Sequence, residues 1–185
     1  MNKNLLQLIN SDCKSYCPGL NKISFFTRLK TYLLNPGFKI SYNLRKCNYL
    51  SKKRSLKFLY FLRRLKYRKL QIKYGIVIGH QIEIGEGLNI EHWGGIVVAG
   101  KAKIGKNLHI RQNTTIGQSK GQYPTIGDNV YIGSEVTIIG GISIGNNCVI
   151  GAGSLVNKSF PDNSIIAGVP AQIIGVVDKN IEDIF

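Results

Sequence analysis

The sequence predicts a mainly β protein: a parallel β-helix of hexapeptide repeats behind a short α-helical N-terminal region. Three observations predict it. β-Branched aliphatics recur at a spacing of six: Ile78, Ile84 and Ile90, then Val98, Ile104, Ile110 and Ile116, then Ile126, Ile132, Ile138, Ile144, Ile150 and Val156. Glycine directly follows eight of them, from Gly79 and Gly85 to Gly145 and Gly151. The residue two places before each anchor is mostly apolar and small, as at Ile82, Leu88, Ala102, Val130, Cys148 and Ser154. Alternation of this kind gives a short strand with two inward side chains. The glycine, with Asn or Gly two residues later (Gly87, Asn107, Asn129, Asn147, Gly153), suits a corner with left-handed backbone. Three such units make a coil of about 18 residues, and stacked coils bury a continuous aliphatic core. The thirteen rungs give about four coils. A sandwich of short strands places its turns about every 8–12 residues; here they come every six.

In chain order, residues 2–10 read as a short helix with Leu5, Leu6, Leu8 and Ile9 on its apolar side. Ser11-Asp12 reads as a cap or turn, and Pro18-Gly19 as a break. Residues 21–34 form a second predicted helix, with Ile23, Phe26, Leu29, Leu33 and Leu34 at helical spacing. Asn35-Pro36-Gly37 ends it, and 38–50 is a third. Residues 51–74 predict a longer basic helix with Leu56, Leu59, Leu62 and Leu65 to one side, widened by Phe58, Tyr60 and Phe61. The β-helix follows from Gly75, and residues 164–174 add one more strand and corner. The expected segments are a basic helical region over 1–74, a β-helix domain over 75–177 and a tail over 178–185.

Residues 1–74 hold 18 Lys and Arg against one acid, Asp12, a net +17, whereas 75–185 carry −2. The basic character therefore belongs to the helices. Two readings of the 51–74 helix stay open. Its apolar side packs on its neighbours and the end of the β-helix, or it makes peripheral contact with an anionic membrane surface. No nucleic-acid fold signature accompanies the charge, so nucleic acid is not an expected partner. No stretch reaches the roughly 20 apolar residues of a span, and residues 5–9 are too short for a signal peptide. The four cysteines form no disulfide framework, and Cys13 and Cys17 lack partners for a metal site, so no metal is expected. The expected location is cytoplasmic, with the inner membrane face as an alternative.

Interruptions of a regular repeat are where function can sit. The first break, between Ile90 and Val98, adds two residues and contains Glu91-His92-Trp93-Gly94-Gly95. The second, between Ile116 and Ile126, adds four and contains Gln118 to Pro124. His92 is the histidine in a break; His80 and His109 occupy regular outward or corner positions.

The segment Gly87-Leu88-Asn89-Ile90-Glu91-His92-Trp93-Gly94-Gly95-Ile96-Val97-Val98 resembles the active-site segment of bacterial serine O-acetyltransferases. The resemblance runs on through Gln112-Asn113-Thr114-Thr115-Ile116-Gly117, Ile150-Gly151-Ala152-Gly153-Ser154-Leu155-Val156 and Ala167-Gly168-Val169-Pro170-Ala171-Gln172. It implies a left-handed winding, acetyl-CoA as co-substrate and a homotrimer with active sites between subunits. It implies His92 as the catalytic base beside Glu91, and Gly117, Ser134 and Ala152 along the acetyl-CoA arm. Trp93 and Tyr123 are expected to shape the acceptor site. Neutral His92 would take the acceptor hydroxyl's proton, with backbone N–H groups near Gly94-Gly95 as oxyanion donors and Glu91 or a main-chain carbonyl holding the imidazole. There are departures. Val77 stands where the serine enzymes place an acid fifteen residues before the base, Gln122-Tyr123 precede Pro124 in place of an Arg and a His, and Gln172 replaces a basic residue. The pattern resembles the subgroup that modifies surface polysaccharides. The expected reaction is therefore acetyl transfer to a sugar hydroxyl of a capsule or O-antigen, on an acidic or lipid-linked saccharide. The alternatives are L-serine O-acetylation in cysteine synthesis and a non-catalytic trimeric scaffold.

Overall fold

The computed structural model describes residues 3–20 and 22–178. The tail expected over 178–185 lies outside the described residues from 179 onward. Four α-helices come first: α1 (Lys3–Lys14), α2 (Phe25–Leu34), α3 (Pro36–Ser51) and α4 (Lys57–Tyr74), with a 3₁₀ turn, Arg54–Leu56, before the last. Asn35 serves two helices at once. It closes α2 with its backbone N–H on the Thr31 carbonyl, and its side chain caps α3 by accepting from the Phe38 N–H. Gly75 ends α4 in left-handed conformation, φ +62°.

Fifteen short strands follow among the described residues: β1 (Ile76–Ile78), β2 (Glu83–Ile84), β3 (Asn89–Ile90), β4 (Ile96–Val98), β5 (Lys103–Ile104), β6 (His109–Ile110), β7 (Thr115–Gly117), β8 (Thr125–Ile126), β9 (Tyr131–Ile132), β10 (Thr137–Ile139), β11 (Ser143–Ile144), β12 (Val149–Ile150), β13 (Leu155–Val156), β14 (Ser164–Gly168) and β15 (Ala171–Val176). They form three parallel sheets, β1-β4-β7-β10-β13, β2-β5-β8-β11 and β3-β6-β9-β12-β14, with β15 folding back antiparallel on β14. This is a parallel β-solenoid of about five turns, one more than the rungs alone suggested, because β14 continues the third sheet. Twelve of the thirteen anchors are buried, and Ile84, in the first coil, is half-buried. The corner asparagines behave as the spacing predicts. Asn107, Asn129 and Asn147, joined by Asn163, take φ of +53° to +61°; the Nδ2 of each of the first three donates to the next Oδ1 in a ladder, at 2.8, 2.9 and 3.2 Å, and Asn163 accepts the last bond. The glycines directly after the anchors differ from the expectation: none of them has positive φ, and Gly105 is required instead by close approach, since a Cβ there would lie 2.6 Å from the Gly127 carbonyl one coil on.

The helices correct the sequence reading. Leu56, Leu59, Leu62 and Leu65 of the α4 region are exposed, and so are Phe26, Leu29, Leu33 and Leu34 of α2. What α4 turns inward is Tyr67 and Gln71, with Leu70 and Tyr74 beside them. The reason is the first coil. It has no coil beneath it, so its carbonyls need donors. Tyr67 Oη and Gln71 Nε2 both donate to the Ile78 carbonyl, at 2.9 and 2.8 Å. From α3, Asn48 Nδ2 donates to the His80 carbonyl at 2.9 Å and Arg45 Nη1 to that of Ile84 at 2.7 Å. Polar side chains thus cap the solenoid, and the leucine stripe is left facing away. Asp12 is likewise no turn residue. It sits inside α1, fully buried, bridging Arg45 to the N–H groups of Gly87 and Leu88.

Candidate active site

The strand register brings some of the expected site residues into one column. Ile90, Ile110, Ile132 and Ile150 pair in succession across β3, β6, β9 and β12. Two residues beyond each anchor come His92, Gln112, Ser134 and Ala152, stacked along one edge of the solenoid. The first break opens this edge. Gly94 and Gly95 take φ of +111° and +64°, and a side chain at Gly95 would collide with Asn113 of the next coil.

The break is anchored from the helices. Tyr16, between α1 and α2, accepts the Ile90 N–H on its hydroxyl at 2.7 Å. Gly37, in the first turn of α3, lies against the Ile90 carbonyl so closely that a Cβ there would strike it. Trp93 meets Tyr74, the last residue of α4, edge to face at 6.3 Å. His92 and Trp93 are both exposed and border a cavity of about 360 Å³ with Gln112. Among the described residues nothing hydrogen-bonds the His92 imidazole, and the buried Gln112 Oε1 has no partner.

Glu91 is turned away from His92. Its carboxylate accepts from Arg111 Nε at 2.7 Å and lies 3.5 Å from His109 Nδ1. The hydrogen bonds from His109 and Arg111, outweighing partial burial, hold this carboxyl down at about 2. The guanidinium of Arg111 also stacks on the Tyr131 ring at 5.2 Å. A role for Glu91 in orienting the imidazole is therefore corrected: within the chain its oxygens are committed to Arg111 and His109. Sequence reasoning did not give Arg111, His109 or Gln112 a task. The signal was present as a twenty-residue offset, one coil plus the two inserted residues, between Glu91 and Arg111 and between His92 and Gln112.

Gly117 and Tyr123 lie elsewhere. The second break leaves β7 at the corner between the first and second sheets, whereas His92 lies between the third and first. Ser119 and Gln122 close that loop with mutual backbone hydrogen bonds of 3.1 and 2.9 Å. Lys101 Nζ stands 5.7 Å from the Tyr123 ring centroid. Trp93 and Tyr123 thus do not share a site within one chain. Among the described residues no group of three His, Cys, Asp or Glu could hold a metal ion.

Comparison with known proteins agrees with the fold. The family described as bacterial transferase hexapeptide (six repeats) matches residues 123–158. Serine acetyltransferase 4 of Arabidopsis thaliana is 39% identical over 110 residues, 57% of this chain and 31% of that one. The serine acetyltransferase of Synechococcus elongatus is 31% identical over 150 residues, 79% of this chain and 60% of that one. The crystal structure of serine acetyltransferase from Brucella abortus superposes with a TM-score of 0.78 at 28% identity, covering 95% of this chain and 70% of that one. The chain spans between about a third and three fifths of the length of these curated relatives. The findings overturn the polysaccharide expectation: relatives at 31–39% identity and the solved neighbours are serine acetyltransferases, which favours the stated alternative and removes the saccharide acceptor. The chain belongs to the hexapeptide-repeat transferases, in the group resembling the serine O-acetyltransferases.

Proposed function

We propose that the chain is an acetyl-CoA-dependent O-acetyltransferase whose acceptor is the hydroxyl of L-serine, with His92 as general base. The observation that carries this reading is the column of His92, Gln112, Ser134 and Ala152 beside a cavity that His92 borders. The similarity to serine acetyltransferases supplies the substrate class.

Neutral His92 takes the acceptor hydroxyl's proton while the oxygen bonds to the thioester carbon. It then returns that proton to the sulfur as the carbon–sulfur bond breaks, releasing free thiol and acetyl ester. Backbone N–H groups of the Gly94-Gly95 turn are the donors for the oxyanion. The orphan Gln112 Oε1 is an acceptor suited to the ammonium of an amino acid, since a buried carbonyl oxygen left without a donor costs about 1–3 kcal/mol. Ser134 and Ala152 are small enough to let an acetyl-CoA arm run along their edge. Glu91 acts on the base indirectly, by holding the start of the break against Arg111 and His109. Gly117 and Tyr123 join the same groove only if a neighbouring copy supplies its second-break corner, so the reading includes a trimer with the site between subunits. Trp93 then forms one wall of the acceptor site.

The test is acetyl transfer to L-serine, followed by thiol release from acetyl-CoA. His92→Ala is expected to lower turnover about 10²–10⁴-fold without loss of fold, because the side chain is exposed. Wild-type protein that leaves L-serine untouched, or full activity in His92→Ala, would end the proposal.

A further inference from the structure

The fold leaves an apolar face uncovered on its most basic element. Along α4, Phe58, Phe61, Leu62, Leu65 and Ile72 follow one another at i, i+3, i+4, i+7 and i+14, the spacing of a single helical stripe. Phe58 is 75% exposed and Ile72 69%. At 100° per residue, Lys57, Arg64 and Arg68 flank one side of the stripe and Lys66 and Lys73 the other, while Tyr67, Gln71 and Tyr74 lie opposite, against the solenoid. Lys69 interrupts the stripe, with a long stem that can lay its charge outward. On α2, Phe26, at 78% exposure, with Leu29 and Leu33, makes a second such stripe. The two helices adjoin: Phe25 and Leu29 of α2 line a cavity of about 400 Å³ with Arg63 and Lys66 of α4.

We propose that this face is a peripheral docking surface for an anionic phospholipid bilayer, with α4 lying in the plane of the interface. The charge argues for this occupant. Residues 1–74 carry 18 cations and one acid, and that acid, Asp12, is buried and paired with Arg45. The face therefore shows lipid phosphates only positive charge, and a second copy applied to it would oppose cation to cation. An apolar stripe flanked by Lys and Arg is the arrangement that seats a helix at the headgroup boundary. No described helix is long and apolar enough to cross a membrane, so the contact is with the surface. The inference is independent of the acetyl acceptor.

The experiment is sedimentation of the full chain with vesicles of phosphatidylcholine alone or mixed with phosphatidylglycerol, at low and high salt. Binding is expected with phosphatidylglycerol, weakened by salt and weak with phosphatidylcholine alone. Phe58→Ser with Phe61→Ser should lower the partition constant roughly tenfold or more, and Arg64→Gln with Arg68→Gln about 30-fold. Both pairs should keep the wild-type unfolding midpoint, since these side chains are exposed. Three results would each overturn the proposal: no binding to phosphatidylglycerol vesicles, binding that ignores both pairs of substitutions, or sedimentation equilibrium showing that Phe58→Ser with Phe61→Ser breaks an oligomer.

Discussion

Arg45 and Asp12 form a bidentate pair, Nε to Oδ2 at 2.9 Å and Nη2 to Oδ1 at 3.0 Å, with the Asp12 side chain wholly shielded from solvent. Asp12 Oδ1 also accepts the Gly87 and Leu88 N–H groups at 3.0 Å each. One carboxylate thus ties α1, α3 and the first coil together, one rung before the break that holds His92.

Removing one partner of a buried pair leaves the other charge uncompensated. Asp12→Ala is expected to lower stability by about 3–5 kcal/mol. Adding Arg45→Leu should restore part of that loss, because the stranded guanidinium is gone. Urea unfolding midpoints of the two single variants and the double variant measure this. An Asp12→Ala protein as stable as wild type would show that the pair does not hold the helices to the solenoid.

Glu91 predicts an acid response. The hydrogen bonds from His109 and Arg111 bring its carboxyl from 4.5 to about 2 in the folded protein. Folding therefore favours the charged form. The contribution is complete above about pH 5 and fades as the pH falls toward 2. Glu91→Gln should cost on the order of 1–3 kcal/mol at pH 7 and little at pH 2. Stability curves of wild type and variant should converge in acid; parallel curves would remove the role assigned to the Glu91 carboxylate.

Gly37 predicts a link from helix to site. Its Cα lies on the Ile90 carbonyl, so the Cβ of Gly37→Ala must push α3 or the β3 strand aside. Overpacking of this kind costs about 1–3 kcal/mol. Because the Ile90 carbonyl leads directly into Glu91-His92, turnover should fall further than the folded fraction does at the assay temperature. Loss of stability with unchanged turnover per folded molecule would separate α3 from the site.

Much of the fold is legible in the residues. A side-chain period of six forces each Ile or Val inward at its own rung, the Asn corners admit the left-handed backbone of the turn, and glycines such as Gly105 and Gly127 leave room for the next coil. Register follows, and with it the column that runs from His92 to Ala152. The Glu91–Arg111 pair was less legible, because its twenty-residue offset acquires meaning only once the two-residue insertion is placed at one corner. That Trp93 and Tyr123 lie at different corners follows from the rung count: Ile90 and Ile116 are four rungs apart, one coil plus one corner.

The sequence by itself determined the solenoid, since each hexapeptide carries its own instruction and neighbouring coils repeat it. Only the tertiary structure decided how the helices face. Their leucine spacing predicts burial of the leucines. The first coil instead presents bare carbonyls, and these recruit Tyr67, Gln71, Asn48 and Arg45 as donors. Each such carbonyl, buried under the helices without a donor, would cost about 1–3 kcal/mol. The apolar stripe is therefore turned outward, away from the solenoid.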